Sequence, residues 1–225
     1  MKRIAICGFV SWLILGSTTK VWADTAEDKA VAFVVKLGGT FLRDEKLPGK
    51  PVSEVNLFGT KVSNLEMKEL TPLKNLRALY LTGTQITDVG LKELAAFENL
   101  TALSLSRTGV TDAGLKEVSK LKKLTTLELF DAKVTDAGAK ELTELKNLTA
   151  LYLSGTKVTD AGVKELAVLK SLRVLGLSVT NVTDASVKEL STLNNLTSVS
   201  LFDTKVTDAG TKQLQQALPK CKIVK

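Results

Sequence analysis

Six copies of one short motif hold the acids whose spacing could support chemistry. ITDVG stands at 86–90, VTDAG at 110–114, 134–138, 158–162 and 206–210, and VTDAS at 182–186. Each copy sets a carboxylate (Asp88, Asp112, Asp136, Asp160, Asp184, Asp208) two residues ahead of a Gly or Ser. An acid in that setting could act as a general base, a cation ligand or part of a phosphate-binding turn. Each of those chemistries needs company that this sequence withholds. Histidine is absent, which removes the commonest general base and metal ligand together. Calcium takes about six to eight oxygens, whereas each motif offers one Asp and one Thr. A phosphate cradle of the G-x-x-x-x-G-K-[ST] or G-x-G-x-x-G kind does not occur, and a carboxylate at the start of every helix would repel an anion. With no Ser nucleophile setting and no carboxylate pair, no enzyme, no metal and no cofactor is expected.

The motif recurs because the chain itself recurs. From Val52 onward, units of 24 residues start at Val52, Leu76, Leu100, Leu124, Leu148, Leu172 and Leu196. A fixed period of this kind marks a solenoid. One unit reads LTALYLSGTKVTDAGVKELAVLKS (148–171). Leu151 and Leu153, two apart, share one side of a strand. A turn follows, then Val158, then Val163, Leu166 and Leu169 at helical spacing. Each unit therefore predicts a short strand, a turn and a helix of two to three turns. Within that frame Asn64, Asp88, Asp112, Asp136, Asp160, Asp184 and Asp208 stand as N-caps, whose side-chain oxygens accept free backbone N–H groups. The glycine two places on allows close approach of an adjoining coil, and Ser186 shows that a small residue suffices. The threonines at 60, 84, 108, 156, 180 and 204 stack at one spot, where hydroxyls can satisfy turn backbone; Ala132 breaks the series.

A repeat of this size needs neighbours on both flanks and a cap at each end. Residues 25–37 carry Ala30, Phe33, Val34 and Leu37 at helical spacing before Gly38 and Gly39, and Thr40–Arg43 suits a first strand. At the other end Pro219 stops the last helix, and Cys221 and Ile223 suit a closing strand, with the Cys221 thiol buried. Ahead of all this, Lys2-Arg3, an apolar run to Gly16 and Val21-Trp22-Ala23 have the layout of a secretory signal peptide. The division expected is signal peptide 1–23, N-terminal cap 24–51 (helix plus short strand), seven repeats over 52–219 and a capping strand at 220–225. Removal of the leader takes Lys2, Arg3 and Lys20, so 31 basic residues become 28 against 24 acidic ones. Without a Lys/Arg run, that mild excess does not indicate nucleic acid.

The pattern L-x-x-L-x-L-x-x-T-x-V-T-D-A-G-x-K-E-L resembles the leucine-rich repeat. More narrowly it resembles the T-D-x-G-L repeats of secreted bacterial proteins, notably from planctomycetes, and the turn also resembles repeats attached to F-box proteins. The resemblance covers about three quarters of the chain. It implies an α/β leucine-rich-repeat solenoid, with a curved parallel sheet on the concave side, short helices on the convex side and a role in protein recognition.

If the framework is fixed, function falls to the positions it leaves free. Around the paired leucines these include Phe58, Tyr80, Arg107, Glu128, Phe130, Asp131, Tyr152, Phe202 and Asp203, which strand phase turns outward. Both tyrosines of the chain and three phenylalanines are among them, a composition typical of interface hot spots. Phe58, Phe130 and Phe202 lie 72 residues apart, as do Tyr80 and Tyr152, so the array has the pattern of a three-unit duplication. The sequence predicts a secreted or periplasmic monomer that binds an unknown protein partner through its concave face, with no membrane association after cleavage. An envelope component that binds polysaccharide or peptidoglycan stays open. An F-box-like role in substrate choice by a ubiquitin ligase is a remote alternative, since the leader points out of the cytoplasm.

Overall fold

The computed structural model of the protein describes residues 25–225, and the leader expected at 1–23 lies outside the described residues. Among the described residues nine strands form one open sheet in chain order. Strand β1 (Thr40–Arg43) runs antiparallel to β2 (Val52–Asn56). All later pairs are parallel: β3 (Ala78–Tyr80), β4 (Ala102–Ser104), β5 (Thr126–Glu128), β6 (Ala150–Tyr152), β7 (Val174–Gly176), β8 (Ser198–Ser200) and β9 (Lys222–Val224). From β2 to β8 each residue pairs with the one 24 places on, as in Leu79 with Leu103 and Leu103 with Leu127. The leucines thus stack in continuous inner columns, and a slip of one residue would turn every one of them outward. The core runs the length of the array: Leu57, Leu81, Leu129, Leu153 and Leu177 are fully buried, as are Ile86, Val134 and Val158 from the far side of each turn.

The opposite side holds helices shorter and less uniform than the spacing predicts. The first two repeats carry 3-10 helices, Asn64–Leu70 and Gly90–Ala96. The next three carry α2 (Asp112–Val118), α3 (Asp136–Glu141) and α4 (Asp160–Leu166). A 3-10 turn and α5 (Val187–Leu190) follow, and then the longer α6 (Asp208–Ala217). Helices α2, α3 and α4 have six or seven residues, about two turns, whereas α6 has ten before the chain returns to β9. In the two 3-10 repeats the T-D-A-G start is altered, to S-N-L-E at 63–66 and T-D-V-G at 87–90.

The acidic residues do not cap the helices they precede. The N-caps are Thr111, Thr135, Thr159, Thr183 and Thr207, whose hydroxyls accept a helical N–H. Ser63 takes that place in the first repeat, in a capping box with Glu66, and Val89 precedes the second helix without a side-chain cap. Thr sits one residue earlier, in the extended conformation a cap requires, so each Asp is free to reach across to the next repeat. Asp88 Oδ1 accepts the Thr111 N–H at 2.8 Å while Oδ2 accepts its hydroxyl at 2.7 Å. The same clasp joins Asp112 to Thr135, Asp136 to Thr159, Asp160 to Thr183 and Asp184 to Thr207. Asn64 repeats it with Thr87, its amide donating to the hydroxyl at 2.8 Å. Capping does occur, but one repeat on: Gly90 N donates to Asn64 Oδ1 at 3.1 Å and Gly162 N to Asp136 Oδ1 at 2.9 Å. Asp208, at the end of the series, pairs with Lys225.

This clasp explains the glycine. A Cβ on Gly114, Gly138, Gly162 or Gly210 would collide with the Asp oxygen arriving from the previous repeat. Ser186 is tolerated because its hydroxyl donates to Asp160 Oδ1. Burial raises the Asp160 carboxyl, but the Ser186 hydroxyl and the Thr183 N–H and hydroxyl outweigh that and hold it below the ordinary 3.8. The stacked threonines act as expected: the hydroxyls of Thr60, Thr84, Thr108, Thr156, Thr180 and Thr204 each donate to the carbonyl three residues back, at 2.5–2.9 Å.

Both ends are closed. Helix α1 (Ala26–Lys36) starts in a Thr25–Asp28 capping box and buries Ala30 and Val34. Arg43 Nη1 donates to Glu27 Oε1 at 2.8 Å, tying α1 to β1, and Arg77 reaches Asp44 at 2.9 Å. At the far end Gln215 Nε2 donates to the carbonyls of Leu218 and Cys221, both at 3.1 Å, where the helix has stopped. Cys221 lies buried at a leucine position, and burial pushes its thiol pKa up. Among the described residues, no helix is long and apolar enough to cross a membrane.

Candidate concave binding surface

In-register pairing turns repeat positions into rows across the sheet, about 4.8 Å per rung. One row runs Tyr80, Ser104, Glu128, Tyr152, Gly176 and Ser200. A second, two residues later, alternates large and small side chains: Phe58, Thr82, Ser106, Phe130, Ser154, Ser178 and Phe202. Between them the inward leucines are buried, so both rows face outward.

A third row comes from the turn. Gly59, Gly83 and Gly155 have positive φ of 66°, 69° and 73°. The equivalent residues in the other four repeats are Arg107, Asp131, Val179 and Asp203, at 52°, 53°, 56° and 53°. The left-handed conformation costs a residue with a Cβ roughly 1–2 kcal/mol. The ladder enforces it all the same, because the N–H at this position pairs with the next repeat: Arg107 N donates to Phe130 O at 2.8 Å and Asp131 N to Ser154 O at 3.0 Å.

Large and small rungs together produce two hollows. The first is about 460 Å³ and is lined by Phe58, Tyr80, Arg107, Glu128, Phe130 and Asp131, with smaller residues between them. The rung between Tyr80 and Glu128 carries serines, Ser104 and Ser106, 1% and 3% exposed, and Ser106 lines the hollow. Both are spoken for, Ser104 by the Thr82 hydroxyl at 2.6 Å and Ser106 by the Phe130 N–H at 3.1 Å. The second hollow, about 380 Å³, is lined by Phe130, Tyr152, Gly176, Ser178, Ser198 and Ser200. Phe130 and Ser154 line both. The Phe130 ring lies 5.3 Å from that of Tyr152 at an interplanar angle of 32°. On its other side Tyr152 rests against Gly176, where a Cβ would come within 3.2 Å of the ring.

Six of the nine residues singled out from the sequence thus line one hollow, and Tyr152 lines its neighbour. Phe202 and Asp203 join neither; Phe202 stands 60% exposed on the last full rung. Gly155 and Val179 also line the first hollow and were not singled out. Their signal was available, since they share the repeat position of Arg107 and Asp131. Gly155 matters for placement, because a Cβ there would collide with Asp131 Oδ1.

Arg107 Nε donates to Asp131 Oδ2 at 3.0 Å along the rim. Both side chains are more than half exposed, so the pair stabilises by about 1 kcal/mol at most. Among the described residues no cation lies within ion-pair distance of Glu128, and no group of three Cys, Asp or Glu could hold a metal.

Residues 53–224 match the family model described as a leucine-rich repeat region. The chain belongs to the leucine-rich-repeat family. Among solved structures this leucine-rich-repeat chain is similar to an internalin C2 from Listeria monocytogenes. The two share 26% identity and a TM-score of 0.65, over 87% of this chain and 81% of that one. No curated protein matches.

Proposed function

We propose that this protein is an extracytoplasmic leucine-rich-repeat scaffold of the T-D-x-G-L type that binds another protein through its concave face and performs no chemistry. One observation carries the reading: Phe58, Tyr80, Phe130 and Tyr152 gather around two adjoining hollows on a face where the repeat needs none of them. Aromatic burial with polar contacts at the rim is how such interfaces bind. Family membership supports the same reading. The basic-then-apolar leader at 1–23 supports export, with a mature chain from Asp24 acting as a monomer, apart from nucleic acid and membrane.

The test is a cross-linking pull-down from envelope and culture fractions with residues 24–225 and with a variant carrying Ala at Phe58, Tyr80, Phe130 and Tyr152. Circular dichroism should show both folded. A partner held by the first and lost by the second supports the concave site; the same partner on both baits, or none on either, counts against it. The second hollow favours a glycan as the other reading, because the Tyr152 ring stands beside the hydroxyls of Ser178, Ser198 and Ser200. A glycan array separates the two.

A further inference from the structure

The two hollows share part of one design and differ in charge. Moving 72 residues along the chain, Phe58 and Tyr80 of the first become Phe130 and Tyr152 of the second, but Glu128 becomes Ser200, and the copies of Arg107 and Asp131 (Val179 and Asp203) do not line the second hollow. In the first hollow Arg107 is already held by Asp131, and the Asp131 carboxylate is in turn seated over Gly155. That rim pair is neutral by itself. Among the described residues Glu128 is then the uncompensated charge of the hollow, a carboxylate beside the rings of Tyr80 and Phe130, in a chain that keeps 28 basic against 24 acidic residues once the leader is removed.

The nature of the occupant follows from what each candidate would do to Glu128. An anionic group would be repelled. An apolar plug would strip water from the carboxylate and leave it without a partner, which is costly. A cation alone compensates it, and the faces of Tyr80 and Phe130 would attract the same cation through their ring quadrupoles. Building on the protein-binding reading above, we propose that the first hollow receives a lysine or arginine side chain of the partner, with Glu128 as its counter-ion and Tyr80 and Phe130 as its walls. Elsewhere the positive chain disfavours basic partners, so Glu128, the carboxylate inside the hollow, sets the register of a basic segment laid across the sheet.

The experiment uses a phage-displayed library of random 12-residue peptides selected on the folded protein, and separately on Glu128→Lys. Peptides selected on the wild type are expected to share Lys or Arg at one position, and those selected on Glu128→Lys to share Asp or Glu there. For the best wild-type peptide, Glu128→Gln should weaken binding by about tenfold or more, since a charge-assisted hydrogen bond is lost. Ser200→Ala, at the matching place in the second hollow, should change it by less than about twofold. Peptides that need Phe130 but show no basic position and ignore Glu128→Gln would overturn the cation inference and leave the protein-binding reading intact. Failure to select any peptide sensitive to Phe130→Ala would count against both. Unchanged urea midpoints for the variants would exclude unfolding as the cause.

Discussion

The T-D-x-G edge and the concave face are built from the same repeat, yet they use their polar groups in opposite ways. On the edge nearly every donor and acceptor is consumed by the adjacent repeat. The Asp136 carboxylate alone takes up the Thr159 N–H, its hydroxyl and the Gly162 N–H, and Gly162 gives way to let it in. On the concave face the larger groups are left over. Phe58 is 68% exposed, and Glu128 has no cation at ion-pair distance among the described residues. Repetition with internal satisfaction holds the array together, and repetition with surplus offers it to something else.

Mutations should separate the two regions sharply, and the greatest loss belongs to the edge. Gly138→Ala forces a Cβ into Asp112 Oδ1 and within 2.9 Å of Leu115 and Val134. About 2–4 kcal/mol of stability should go, read as a fall in the urea midpoint. Gly138→Ser should cost clearly less, because its hydroxyl can donate to Asp112 as that of Ser186 does to Asp160. Equal losses for Ala and Ser would refute the clasp as the reason for the glycine.

Next comes the carboxylate. Asp136→Ala leaves the Thr159 and Gly162 donors short of their acceptor and should cost about 2–3 kcal/mol. Asp208→Ala, whose carboxylate pairs with Lys225 and clasps no threonine, should leave the midpoint where it was. A comparable loss at both positions would mean that the charge itself, rather than the link to the next repeat, is what matters.

A smaller effect concerns acid. The Asp160 carboxyl is held below 3.8 in the fold, so the unfolded chain binds that proton more readily. The stability it contributes is fully present above about pH 4 and is lost as pH falls through the lower folded value. Ser186→Gly removes one of the hydrogen bonds that depress it, so the stability lost to acid should be smaller and its loss complete at a higher pH than in the wild type, as measured by urea melts from pH 5 downward. Phe130→Ala should cost only about 1 kcal/mol of stability while abolishing capture of the partner. A variant that binds as before would move the functional site off the concave sheet.

Much of this was legible in the chain. Leucines 24 apart led to strands in register, and the stacked Thr hydroxyls met the turn carbonyls as the spacing suggested. The motif residues were harder. Asp112 beside a helix start reads as an N-cap, and no role is assigned to its Thr neighbour. Local propensity cannot reveal that Thr111 takes the cap so that Asp112 can act 23 residues away. The concave residues were legible as outward-facing, but the grouping of Phe58 with Arg107 and Glu128, and the exclusion of Phe202, were not.

By itself, then, the sequence determined the period, the inner leucine columns and which side chains face out, because a strand alternates every second residue and a solenoid repeats whatever one unit does. Tertiary structure alone decided which neighbour each polar group meets and where the hollows fall. Those depend on contacts between successive repeats, where a small Ser106 beside a large Phe130 leaves a space that neither repeat encodes on its own.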